Sequence, residues 1–285
     1  MKNSILFSIA LSLSSLLAVT SCFDRDSTEP ELQVQQEIKI VGSSSTYQAT
    51  KILAKAYENK TVNVKFTFLP KSQSSSGIAG VRKGLVDIGT VSRTLKPEED
   101  DSSVVYREFV KDALVVGIHR SVKGVRNLQT YQLKAIYSGR VTNWQDLGGS
   151  KGKIVVLDRP EDDSGKRLLR EYYLGKELKN APEAVIMRHE PELVNALNNT
   201  PHSIGTFSLA YALSNKLSVK RLSLNNVEAT TKNVRIGKYK MVRELGIVYS
   251  KKPTSKTQGF VDFIFSKQGQ EVLQQSGFVP SLEES

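Results

Sequence analysis

The chain has 285 residues, 39% of them hydrophobic and 24% charged, which is enough for one large domain or two modest ones and excludes a disordered or fibrous polymer. Lys and Arg number 40 against 29 Asp and Glu, and the formal charge of +11 suits an anionic partner without naming one. A single Cys excludes an intrachain disulfide framework and a Cys-rich zinc module, and the three His lie too far apart in sequence to support a metal site, so no cofactor is expected.

Lys2 precedes an apolar stretch, Ile5 to Val19, that is interrupted by Ser8, Ser12, Ser14 and Ser15 and ends in small residues. It is shorter and more polar than a spanning helix, and residues 1–21 read as a signal peptide. The stretch closes on Val19-Thr20-Ser21-Cys22, which resembles the lipobox of bacterial lipoproteins, in which the Cys carries lipid after cleavage. Residues 22–37 then form the expected lipidated Cys and polar tether, and the protein would sit on the outer side of the cytoplasmic membrane, held through its N-terminal lipid.

Ile38 to Val41 is a β-prone run that breaks at Gly42-Ser43-Ser44-Ser45-Thr46, after which Ala49, Ile52, Leu53, Ala56 and Tyr57 form the stripe of an amphipathic helix. Val62 to Leu69 alternates as a strand, Ser74 to Gly77 reads as a small-residue turn, Ile78 to Leu85 as a helix and Val86 to Gly89 as a strand. Further strands are expected at Ala113 to His119 and Ile154 to Leu157, with a helix opening near Ser164. This alternation favours an α/β fold with mainly parallel sheets. Gly148 to Gly152 matches the hydrolase elbow pattern but lacks the strand-before, helix-after setting, and reads as a turn.

Three Ser-rich loops, residues 42–47, 73–77 and 159–166, each fall between an expected strand and an expected helix. A helix start offers unpaired backbone N–H groups and partial positive charge, and hydroxyls add donors that pivot; three of them converging would cage an oxyanion. Taken singly, each loop is better explained by Ser and Thr acting as N-caps, and the repetition of the pattern is what favours binding. Arg93 and Arg159 both follow strand ends, where ligands bind in α/β sheets, yet either can instead pair with a local acid such as Asp87 or Asp162.

The segments Gly42 to Thr46, Ala135-Ile-Tyr-Ser-Gly-Arg-Val-Thr-Asn-Trp144, Asp163-Ser164-Gly165 and Phe260 to Pro280 together resemble the phosphate-binding proteins of bacterial phosphate ABC importers, the PstS-like solute-binding family. The resemblance runs from about residue 38 to residue 281. It implies a two-lobed clamp of the periplasmic-binding-protein type (type II), with inorganic phosphate held in the cleft and passed to an ABC permease, and no covalent chemistry. Lobe one would combine residues 38–114 and 247–285, lobe two residues 115–246, and the hinge would lie near Val115 to His119 and Leu245 to Tyr249. The ligand set so implied is Ser45, Thr46 and Tyr47 from the first loop, Ser74 and Ser75 from the second, Ser92, and Arg159, Ser164, Gly165 and Lys166 from the third. Lys166 stands where the family usually has Thr, and Arg159 precedes Ser164 by five residues where four is common. Ser92 stands where the best-known members carry an Asp that accepts the proton of hydrogen phosphate and repels sulfate. Glu161, Asp162 or Asp163 would be the replacements, with an exposed acidic turn as the plainer reading.

From Lys216 to Arg243 there are eight basic residues and one acid, Glu228, in a stretch outside all three loops. It reads as a solvated basic face, with anion focusing or contact with anionic lipid as alternatives; no nucleic-acid module accompanies it. A monomer is expected. The rival functions are a binding protein or sensor for another tetrahedral oxyanion such as sulfate and, from a different class, a secreted phosphatase.

Overall fold

The structure, a computed structural model, describes residues 35–281. Cys22, the signal peptide and most of the tether lie outside the described residues. The chain enters through β1 (Gln36–Gly42), which buries Ile38 and Ile40, and turns into α1 (Ser44–Glu58), whose Ala49 and Leu53 are fully buried. Then come β2 (Val64–Phe68), α2 (Ser74–Arg82) and β3 (Ile88–Val91). The run Ser74 to Gly77, expected as a turn, is the first turn of α2. The Ser76 and Gly77 N–H groups both reach the Gln73 carbonyl, at 3.1 and 3.3 Å, and so begin the helix before its first large apolar residue.

Glycine lets α2 lie against the sheet. A Cβ at Gly89 would stand 2.5 Å from the Gly77 carbonyl oxygen, and one at Gly42, where φ is +133°, would stand 2.3 Å from the Thr90 oxygen. Both positions require a residue without a side chain.

After a 3-10 turn at Pro97–Glu99 the chain forms β4 (Val104–Ile118), more than twice the length of the strand expected at Ala113 to His119. Its first half, Tyr-Arg-Glu among others, is only partly buried, so its charged residues conceal the strand in the sequence. There follow β5 (Asn127–Leu128), α3 (Thr130–Tyr137), β6 (Val155–Asp158) and α4 (Ser164–Leu169), which continues as a π-helical turn to Leu174. Next are β7 (Val185–Ile186), α5 (Glu190–Asn199), β8 (Ser203–Ser208), α6 (Leu209–Ser214), β9 (Lys220–Arg221), β10 (Ser223–Leu224) and α7 (Thr231–Arg235). The chain closes with β11 (Val242–Ser250), α8 (Ser255–Phe265), α9 (Lys267–Gln275) and β12 (Val279–Pro280).

The main sheet runs in the order β2-β1-β3-β11-β4-β8-β6-β7. Its two wings, β2-β1-β3 and β8-β6-β7, are parallel, as expected, and antiparallel β11 and β4 join them. Along β4, residues 104–113 pair with β11 and residues 114–118 with β8, so the strand passes from one wing to the other at Ala113 and Leu114. Strand β11 has a register shift between Leu245 and Gly246, close to the same level.

Each wing has its own apolar core. One gathers Ile38, Ile40, Leu53, Ile88, Phe260 and Ile264; the other gathers Val116, Tyr137, Trp144, Leu157, Leu193 and Phe207. Phe260 packs edge-on against Phe66 with ring centroids 4.5 Å apart. Trp144 is fully buried, and its indole N–H donates to the His202 carbonyl at 2.8 Å.

Candidate functional site: a serine-lined cleft between the wings

The three Ser-rich loops meet. Ser43, Ser44 and Ser45 at the start of α1, Ser74, Ser75 and Ser76 at the start of α2, and Ser164 at the start of α4 line one cleft of about 960 Å³, together with Ser92 and Arg159. All three helices begin at the carboxyl end of a strand, so their positive dipole ends face the same space. The hydroxyls are already in contact. Ser43 donates to Ser92 Oγ at 3.0 Å, the Ser92 N–H donates to Ser74 Oγ at 3.2 Å, and Ser45 and Ser164 Oγ, from opposite wings, lie 3.0 Å apart.

Arg159 is the fixed cation of the cleft. Its Nη1 donates to the Met187 carbonyl and its Nη2 to Asp163 Oδ2, both at 2.8 Å, which holds the planar guanidinium in one orientation. Asp163 caps α4, accepting from the Gly165 and Lys166 N–H groups at 2.9 and 3.1 Å. Burial opposes its ionisation, but the hydrogen bond and charge of Arg159, with Arg243 beyond, hold its carboxyl below the usual range. Arg93 also lines the cleft, but its guanidinium is engaged by Glu99, with Nη2 to Oε1 at 2.7 Å, and this pairing holds the Glu99 carboxyl at about 2.

Several residues implied by the resemblance face elsewhere. The Thr46 side chain is fully buried and donates to the Val91 carbonyl at 2.7 Å, and the Tyr47 hydroxyl donates to the Leu69 carbonyl at 2.9 Å. The helical turn that points Ser44 and Ser45 at the cleft rotates Thr46 toward the sheet, while Tyr47 gives its hydroxyl to the sheet and borders only the adjoining cavity. Lys166 is a correction of the same kind. Its side chain is buried away from the cleft, bonded to Asp158, with Asn180 at 3.3 Å and the Tyr137 ring at 5.4 Å. Burial raises the Asp158 carboxyl against the attraction of Lys166. Gly165 lines a smaller cavity adjoining the cleft, of about 410 Å³, with its N–H given to Asp163. Among the acids proposed to compensate for Ser92, Glu161 pairs with Arg170, Asp163 with Arg159, and Asp162 lines the cleft.

One group of charges was hidden in the sequence. Arg243, counted there in the basic stretch, is buried in β11; its Nη2 lies 2.5 Å from Asp112 Oδ2 and 3.8 Å from Glu190 Oε1, and its Nη1 donates to Ser45 Oγ at 3.3 Å. Asp112 also accepts from Ser208 Oγ at 2.8 Å, and Glu190 from the Ser208 N–H at 2.7 Å. Burial pushes the Glu190 carboxyl up, against the pull of Arg243, while Asp112 and Glu190 together overcome burial and raise Arg243. The sequence offered little signal, because Asp112 follows Arg107, Glu108 and Lys111 in β4 and Arg243 is followed by Glu244 in β11, so neither stands out as a lone charge in an apolar run.

The chain is similar to known proteins. Residues 27–268 match the family described as PBP superfamily domain. The chain is 27% identical over 287 residues to the phosphate-binding protein PstS of Borreliella burgdorferi, covering 98% of this chain and 99% of that one, and 25% identical to the Bacillus subtilis PstS, covering 90% and 84%. A putative phosphate ABC transporter substrate-binding protein from Clostridium perfringens, solved with bound phosphate, superposes with a TM-score of 0.75 at 28% identity, covering 87% of this chain and all of that one. The family match spans both wings and the cleft between them, and the chain belongs to the PBP superfamily domain family.

Proposed function

We propose that the protein captures inorganic phosphate in the cleft between its two lobes and delivers it to an ABC importer. The observation that carries this reading is the meeting of Ser45 and Ser164 from opposite wings beside a guanidinium fixed by Met187 and Asp163. Neutral hydroxyls and helix N–H groups supply donors at every side of a tetrahedral anion, and one fixed Arg supplies the charge. The named relatives are phosphate-binding proteins or substrate-binding proteins of phosphate transporters, which supports binding and release in place of turnover.

In this reading Ser45, Ser74, Ser75, Ser92, Arg159 and Ser164 contact the ligand, and the N–H groups at the starts of α1 and α2 complete the cage. Lobe one comprises residues 38–114 and 247–285, lobe two residues 115–246, and β4 and β11 carry the hinge. The protein works outside the cytoplasmic membrane as a monomer, tethered by lipid on Cys22; no helix among the described residues is long and apolar enough to cross a membrane.

A second reading, a binder of sulfate, draws on Ser92, whose hydroxyl donates as readily as it accepts. Calorimetric titration of ligand-free protein with phosphate, arsenate and sulfate decides between them. Saturable phosphate and arsenate binding that sulfate does not displace is the expected result, with Asp162 as the carboxylate free to accept the phosphate proton. Equal competition by sulfate would establish the second reading, and no binding of any oxyanion would overturn both.

A further inference from the structure

Arg243 does more than its ion pair requires. Its guanidinium faces two carboxylates, Asp112 from β4 and Glu190 from the start of α5, and either alone would neutralise it. Yet Nη1 turns to neither acid and donates to the Ser45 hydroxyl, while Nε is buried without a partner. The side chain is 6% exposed, and the surface it keeps belongs to the smaller cavity that adjoins the cleft. It does not line the larger cavity in which Ser45, Ser74, Ser75, Ser92 and Ser164 meet.

A guanidinium can only donate, whereas a hydroxyl has one proton and two lone pairs. With Arg243 donating to it, Ser45 Oγ turns a lone pair toward β11 and its proton away. Ser164 Oγ is the next oxygen, at 3.0 Å. These two hydroxyls carry two protons between them; one closes the Ser45–Ser164 bond, and the other remains for an acceptor in the cleft. A buried cation at one end polarises the chain, and the free proton is the end it offers to an incoming anion.

We propose that Arg243 is a positioning residue of the oxyanion site, orienting the bonded Ser45–Ser164 hydroxyl pair through its bond to Ser45 so that the pair's free proton is donated to the ligand. This rests on the phosphate-binding reading above and adds a residue that does not touch the ligand. It also ties the crossing strand β11 to the point where the two wings meet.

The test is a double-mutant cycle on the full chain, with inorganic phosphate titrated calorimetrically into wild type, Ser45→Ala, Arg243→Lys and the double variant. Lys keeps a positive charge beside Asp112 but lacks the second arm that reaches Ser45. Each single variant is expected to weaken phosphate binding about ten-fold, and the double variant by no more than about twice that, because both remove one relay. Losses that multiply to about a hundred-fold overturn the proposal, as does either single variant binding within about two-fold of wild type. A merely structural role for Arg243 lowers the urea midpoint without this non-additivity. If Arg243→Lys does not fold, Arg243→Gln with Asp112→Asn and Glu190→Gln leaves no carboxylate facing the missing guanidinium, and that set enters the cycle in its place with the same outcomes. Wild-type protein that binds no phosphate overturns the functional reading along with this one; wild-type binding with additive or absent effects overturns this one alone.

Discussion

Arg159 and Lys166 stand at the two ends of one loop-helix junction and do opposite work. Arg159 lies in the cleft with its orientation set by its own chain, so Arg159→Met is expected to remove the main charge on the ligand and weaken phosphate binding by about 2–4 kcal/mol, read by calorimetry, while urea melts show a smaller change. Lys166→Met is expected to reverse that pattern. It strands Asp158 in the interior and costs about 3–5 kcal/mol of stability, with phosphate affinity of the folded protein within two-fold of wild type, and adding Asp158→Asn recovers most of the loss. A Lys166→Met protein that folds normally but loses phosphate would return Lys166 to the ligand set. That Arg159 and the serines would share one cleft was legible because three Ser-rich loops each fall between a strand and a helix, and it was the repetition of that pattern, not any one loop, that pointed to it. The inward turn of Lys166, Thr46 and Tyr47 was not, because it depends on which side of a helix faces the sheet and on a partner, Asp158, that only the fold brings near.

At the level of elements, the starts of α1, α2 and α4 are the site, and their placement depends on packing that carries no polar chemistry. The tight contact between Gly77 and Gly89 sets the height of α2 above the sheet, and with it the position of Ser74 and Ser75. Gly89→Ala forces backbone against a new methyl, and is expected to cost about 1–3 kcal/mol and to weaken phosphate binding as the α2 start is displaced. Gly84 is the control. Its φ is +64° but a Cβ there meets nothing within 4 Å, so Gly84→Ala is expected to cost about 1 kcal/mol and leave the affinity unchanged. Urea melts and calorimetry on the two variants separate these outcomes. The strand and helix alternation of the first wing was legible from periodicity, since each element buries one clear face. The long crossing strand β4 was half hidden, because its first nine residues are mixed polar and apolar on a surface only partly covered.

Over the whole molecule, charge is arranged differently from its total. Lys216, Arg221, Lys232, Arg235, Lys238 and Lys240 are exposed and, among the described residues, in no ion pair, as expected of a solvated basic face, whereas Arg243 at the end of the same run is buried in the junction between wings. A linear count of charges cannot make that distinction; only the pairing of β11 with β4 does. The segments that most specified the family resemblance behave similarly. Ile136, Tyr137 and Trp144 are core of one wing, and Phe260, Val261, Phe263 and Ile264 core of the other, so the resemblance was carried by scaffold while the cleft was carried by short loops. Trp144 adds an optical consequence. It is the chain's single tryptophan, wholly enclosed within one wing and absent from the lining of the cleft. Its emission is expected to lie at short wavelength, to shift red in a single step under urea and to stay unchanged when phosphate is added. Steady-state fluorescence of the unlabelled protein would then record the melting of the second wing and be blind to occupancy, and any optical phosphate sensor built on this chain would need its reporter placed across the cleft mouth.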